Sequence, residues 1–149
     1  MHLPDSSTYK AFTLHNPHAL YNPTPFAYSH LAEVTHFQRI LHISGQGGEN
    51  AHGVLSADFA IQTQQAFANL NIALTHVQAS LFDIAVLRIL VVNHDAEKHH
   101  ILIQVMQQHW QQHAFPACTL IPVPCLALTD MLIEIEATAY SQSPTRLNP

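Results

Sequence analysis

The chain has 149 residues, of which 48% are hydrophobic and 10% charged, with a formal net charge of −5. This length predicts one domain over residues 1–149, and the composition excludes a disordered, solvated chain. Five Lys and Arg against ten Asp and Glu leave no basic footprint for nucleic acid and disfavour an anionic membrane surface as partner.

No apolar run approaches the length of a membrane-spanning helix. The segment MHLPDSSTYK lacks a basic region followed by an apolar one, so it does not read as a secretory signal. Cys118 and Cys125 are the two cysteines. On one extended strand they stand roughly 23 Å apart, too far for a bridge. They read as free thiols in a reducing cytoplasm.

Residues 1–30 are rich in Pro, Asn, His and Ser. Residues 1–25 read as an irregular arm, with one short strand near Tyr9 to Leu14. Residues 35–44, THFQRILHIS, are a strand candidate. The segment GQGGENAHG follows and holds all four glycines, so it reads as a loop that turns tightly or approaches something closely.

Residues 57–80 carry apolar side chains near a 3.6 spacing and predict a helix, with Ser56 or Asp58 as its cap. The expected stripe includes Phe59, Ile61, Ala66, Phe67, Leu70, Ile72 and Leu74. Residues 83–93, DIAVLRILVVN, read as a strand buried on both faces. Residues 95–113 predict a second helix. Asp95 is its cap, Ile101, Val105, Met106 and Trp110 its stripe, and Phe115-Pro116 its end.

Residues 117–125, ACTLIPVPC, predict a strand whose Pro122 and Pro124 demand an edge or a subunit boundary. Residues 131–140, MLIEIEATAY, alternate, with Met131, Ile133 and Ile135 on one face and Leu132, Glu134 and Glu136 on the other. Residues 141–149 read as a polar tail. The element order predicts an α+β fold, with two helices on one face of a mixed sheet. So few charges suggest that other subunits cover the second face.

Several groups are candidates for chemistry. Among thirteen histidines, His109 and His113 have a spacing that places two imidazoles on one side of a helix. No HExxH or CxxC accompanies them, so no metal site is expected. The glycine-rich segment lacks the Lys and Ser or Thr of a phosphate loop. Glu134 and Glu136 interrupt an apolar strand, where a carboxylate needs a partner or water. Arg88 is a lone cation in AVLRILVV. It reads either as a salt-bridge partner of one of these glutamates or as a clamp for an anionic ligand.

Four strings then occur in order: ISGQGGENAHG, DFAIQTQQAFANLNIAL, FPACTLIPV and LIEIEATA. Together they resemble the RidA/YjgF family over about residues 26–140. That family has an SGQ loop, a Q-x-x-Q-A-F/L-x-N-L helix, an F/Y-P-A strand start and an I-E-I-E-A-x-A strand. The resemblance implies a chorismate-mutase-like α+β subunit. It also implies a homotrimer with a barrel-like core and small-molecule clefts between neighbouring subunits, with no cofactor. Active members hydrolyse enamines and imines such as 2-aminoacrylate to 2-keto acids and ammonia.

Within that resemblance, Ser44 and Gly45 belong to the cleft loop. Glu134 corresponds to the acid that orients or activates water, and Tyr28 to the aromatic of the N-terminal arm. The family arginine that holds the substrate carboxylate follows the P-A pair, and here that position is Cys118. A thiol cannot make the bidentate pair of a guanidinium. A polar position late in the second helix falls at Ile103. Arg88 is a substitute anchor if it points into the cleft. Cys118 as nucleophile lacks a His partner at a readable spacing. Two functions follow: an imine or enamine hydrolase that lacks the family's usual carboxylate anchor, or a non-catalytic metabolite-binding trimer.

Overall fold

The sheet that organises the molecule is built around its most apolar segment. In the computed structural model, which describes residues 10–143, strand β4 (Ile84–Val92) buries Ile84, Leu87, Ile89 and Val91. It lies between β6 (Ile133–Ser141), antiparallel to it, and β5 (Ala117–Val123), parallel to it. Strand β3 (Arg39–Gly47) pairs with β6, giving the order β3-β6-β4-β5. A parallel pair needs a long crossover, and helix α2 (Ala96–Trp110) supplies it. The α+β layer architecture with two helices on a mixed sheet is the one expected.

Helix α1 (Phe59–His76) starts where the Asp58 side chain accepts from the Ile61 amide at 2.9 Å. Such a cap contributes about 1 kcal/mol. Its inward face is Phe59, Gln62, Thr63, Ala66, Phe67, Leu70 and Leu74. Ile61 and Ile72, expected in the stripe, stand exposed. The buried Gln62 was not expected. Its amide donates to the carbonyls of Ser56 and Asp130, and its carbonyl accepts from the Leu132 amide. That fully satisfied side chain ties α1 to the segment entering β6.

Helix α2 begins at its expected cap, with Asp95 accepting from the Lys98 amide. It buries Leu102, Val105, Met106 and Trp110, so Leu102 joins the expected stripe, while Ile101 packs against the core only partly buried. It ends at Trp110, before the expected proline stop, because Gln111 takes a φ of 51°. The polar segment after it has nothing to bury, and the turn returns Phe115 to the core.

Several strands differ from expectation in extent or burial. β3 runs through Gly45 and Gly47, so the glycine-rich segment begins inside the sheet and only then becomes a loop. β4 is buried on the helix face alone, and Arg88 is exposed on the other. A small antiparallel pair, β1 (Phe12–His15) and β2 (Leu31–Val34), flanks the sheet. β2 was not anticipated, and β1 starts after the expected position. Tyr9, the first part of the N-terminal arm and the end of the polar tail lie outside the described residues. β5 is an edge strand, which accommodates Pro122.

Candidate functional site

The expected site residues fall into two groups, separated by the sheet. Alternation in β6 sends Ile133, Ile135, Ala137 and Ala139 into the core, leaving Glu134 and Glu136 on the open face. There β3 carries a bulge. Ile43 opposes Ala137 and Gln46 opposes Ile135, so Ser44 and Gly45 share the space of one residue. Such a bulge re-aims the chain locally.

At Gly45 the bulge meets Glu134. A methyl group here would collide with the Glu134 carboxyl oxygen and with its Cδ and Cγ. Glycine is therefore what allows Glu134 to lie along the backbone of the bulge. The Ser44 side chain is exposed, and its carbonyl accepts from Gln46 Nε2 at 3.1 Å. Ser44, Gly45 and Glu134 form one continuous patch.

Arg88 shares this face. Its Nη1 lies 2.6 Å from Glu136 Oε1, and the two residues are directly opposed across β4 and β6. The side chains are 55% and 44% exposed, so the pair is worth no more than about 1 kcal/mol here. Of the two readings of Arg88, the chain itself realises the salt bridge.

The second group lies on the helix side. Cys118 opposes Leu87 across the β4–β5 pair and packs with it against the core. A cavity of about 550 Å³ opens between β5 and α2. Cys118 and Leu120 form one wall, and Leu102, Ile103 and Met106 the other. Tyr21, Phe26 and Tyr28 close its rim, with His99 at one end.

The rim is held by local chemistry. Asn22 Oδ1 accepts from the Thr24 amide, opening a single 3-10 turn over Thr24–Phe26. Ala27 then adopts a φ of 59° and is fully buried. A left-handed alanine costs roughly 1 kcal/mol, and the turn sends Phe26 and Tyr28 to the same cavity. The Ser29 amide bonds to the Pro116 carbonyl, fastening the arm to the start of β5. The Tyr21 and Tyr28 hydroxyls are hydrogen-bonded to each other, and His30 Nε2 lies 2.8 Å from the Tyr21 carbonyl. Phe26 stacks on His99 with ring centres 6.5 Å apart.

The electrostatics of this cavity are neutral. Burial pushes the Cys118 thiol up to about 12, so it stays protonated near neutral pH and is a poor nucleophile. Burial first, and then the neighbouring His94, lower His99 below the usual histidine value. Among the described residues, no Lys, Arg, Asp or Glu lines the cavity.

The structure thus joins Tyr28 to Cys118, and separately Ser44 and Gly45 to Glu134, with Arg88 beside them on the open face. It does not bring the two groups together within one chain. Sequence reasoning missed Tyr21, Phe26, Leu102, Met106 and His99. The string Y-N-P-T-P-F-A-Y, with two prolines forcing a turn between aromatics, carried a usable signal. His109 and His113 take different partners, Phe67 and Phe82 respectively. Among the described residues, no three His, Cys, Asp or Glu side chains are grouped to hold a metal ion. Among those residues, too, no helix is long and apolar enough to cross a membrane.

Comparison with known proteins matches this arrangement to one family. Residues 22–141 match the model of the family described as Endoribonuclease L-PSP. A Rid-family protein of unknown function from Yersinia pestis, YyfB, is 37% identical, with a TM-score of 0.83 over 87% of this chain and 98% of that one. The YjgF gene product from E. coli is 26% identical, with a TM-score of 0.62 over 71% of this chain and 84% of that one. Rv2704 from Mycobacterium tuberculosis, of the YjgF/YER057c/UK114 family, is 25% identical, with a TM-score of 0.59 over 87% and 98%. No curated protein matches the sequence. With the fold, the SGQ bulge and the I-E-I-E strand in place, the chain belongs to the Rid/YjgF family, the family of the Endoribonuclease L-PSP model.

Proposed function

We propose that this chain forms a homotrimer with small-molecule clefts between subunits, and that each cleft hydrolyses an uncommon imine or enamine. The observation that carries the proposal is the division of the site residues between opposite sides of one sheet. Among the described residues, Ser44, Gly45 and Glu134 lie on a face that no helix covers. Tyr28 and Cys118 lie at the far edge, behind β5. A neighbouring copy is the economical way to bring one group to the other. The open face also exposes Ile40 and Ile121, which such packing would cover.

In the proposed reaction water adds to the C=N carbon, the C–N bond breaks, and a carbonyl compound and ammonia leave. Glu134 takes the proton from water and returns it to the nitrogen as the C–N bond breaks, and Ser44 hydrogen-bonds the polarised nitrogen or oxygen. Cys118 contributes no charge. The missing guanidinium removes about 1.5–3 kcal/mol of carboxylate anchoring, so turnover of 2-aminoacrylate is weak or absent. The description of the matched family favours RNA cleavage, but the net charge of −5 and the neutral cavity speak against a polyanionic substrate.

The cavity's lack of any charged anchor favours a second reading, a trimer that binds a metabolite without turning it over. Ammonia release separates the two. Imines should be generated in place by an amine oxidase, giving no carboxylate, or by an amino-acid oxidase, giving one. The hydrolase reading expects acceleration of the uncharged imine and a loss of about 100-fold in Glu134→Gln. No acceleration of either imine leaves the binding reading.

A further inference from the structure

We infer that the cavity between β5 and α2 selects an uncharged, largely apolar or aromatic group bearing one hydrogen-bonding function, and excludes a carboxylate. The inference rests on the cleft proposed above and specifies its ligand class.

Three observations lead to it. The walls are largely apolar along both elements: Leu102 and Met106 from α2 face Cys118 and Leu120 from β5, with Thr119 the one uncharged polar residue between them. At Ile103, where the family resemblance places a polar residue, there is instead an aliphatic side chain in the wall. An ionised carboxylate placed here would lose its water without gaining a cation, which is strongly unfavourable. Arg88 of the same chain does not relieve this, because it lies on the other side of the sheet, and on that face its guanidinium is already paired with Glu136.

The rim supplies the complementary chemistry. Tyr21 and Phe26 present rings edge to face, centres 6.2 Å apart, beside Tyr28. Such a cluster accepts another planar apolar group. The Tyr21 and Tyr28 hydroxyls bond only to each other within the rim, and each can also accept or donate to a ligand. The Ala27 turn holds these rings in place before any ligand arrives. The site is thus preorganised for a neutral group carrying one amide, carbonyl or hydroxyl.

The test uses two probes of the same shape, 4-methylbenzamide and 4-methylbenzoate, titrated calorimetrically into the full-length protein near neutral pH. Light scattering on the same sample reports its mass. The amide is expected to bind at least about tenfold more tightly than the carboxylate. Tyr28→Phe, which keeps the ring, should weaken the amide about fivefold. Cys118→Arg should reverse the preference. Equal or tighter binding of the carboxylate by the wild type overturns the inference, as does binding of neither probe. If the sample is a trimer when that happens, the interface cleft proposed above survives. If it is a monomer, that reading falls as well.

Discussion

The carboxyl group of Glu134 lies against the Cα of Gly45, so closely that any side chain at 45 would displace it. The contact links the β3 bulge to the acid that we propose activates water. Gly45→Ala should therefore perturb the acid directly. We expect a loss of about 1–3 kcal/mol in urea unfolding, together with lost turnover. Adding Glu134→Ala to Gly45→Ala should restore most of the stability and none of the activity. If Gly45→Ala is neutral in both measurements, the two residues are not coupled.

Gln62 joins α1 to the chain leading into β6 through three hydrogen bonds. Gln62→Ala would leave the half-buried amide of Leu132 without its partner. The expected cost is about 2–3 kcal/mol in chemical denaturation. A substitution by Glu should also destabilise, since a carboxylate cannot donate to the Ser56 and Asp130 carbonyls. Wild-type stability in both variants would contradict this account of the contact.

The two thiols should react very differently. Cys125 is exposed, whereas Cys118 is held protonated by burial, its pKa raised to about 12. Near pH 8, a disulfide reagent should modify Cys125 quickly and Cys118 only after denaturant is added. A Cys125→Ser variant isolates the slow site. The raised value also fixes a sign. The folded state holds this proton more tightly than the unfolded one, so its contribution is complete below pH 9 and is lost between about 9 and 12. Rapid labelling of Cys118 in native protein would reopen the nucleophile reading.

Two histidines set an acid limit. Burial lowers the pKa of both His99 and His109, with His94 adding to the effect at His99. His109 Nε2 is buried without a hydrogen-bond partner, beside the Phe67 ring. Because the unfolded chain binds these protons more readily, stability should fall as pH drops below about 6.5. Around His99 the other titratable groups are His94, Cys118, Tyr21 and Tyr28. Comparing Tm near pH 7.5 and 5.5 tests this, with His109→Gln expected to flatten the difference. A wild-type Tm unchanged between the two would contradict it.

The fold was legible where periodicity and burial agree. The alternation of β6 and the apolar run of β4 marked both as strands, although β4 is buried on one face rather than the expected two, and Asp58, one of two candidate caps, and Asp95 marked the helix starts. The short strand β2 escaped notice because LAEV alternates over only four residues. The end of α2 was misplaced because a left-handed Gln111 has no sequence signature comparable to glycine's. The site was legible only as a list. Ser44, Gly45, Glu134, Tyr28 and Cys118 could be named from motifs. Which face each would take depended on the bulge at Ser44–Gly45 and on the turn at Ala27, both tertiary events. Arg88 shows the limit most clearly, since its two readings differed only in where its side chain points.

The central claim is that the cleft of this Rid-family chain is built without a carboxylate anchor because Cys118 occupies the arginine position. Its most direct test is ammonia release from enzymatically generated 2-aminoacrylate by the wild type and by Cys118→Arg. The account predicts a wild-type rate equal to that of buffer and a clear gain in the arginine variant. A wild type that already accelerates the reaction, or an arginine variant as inert as its parent, would contradict it.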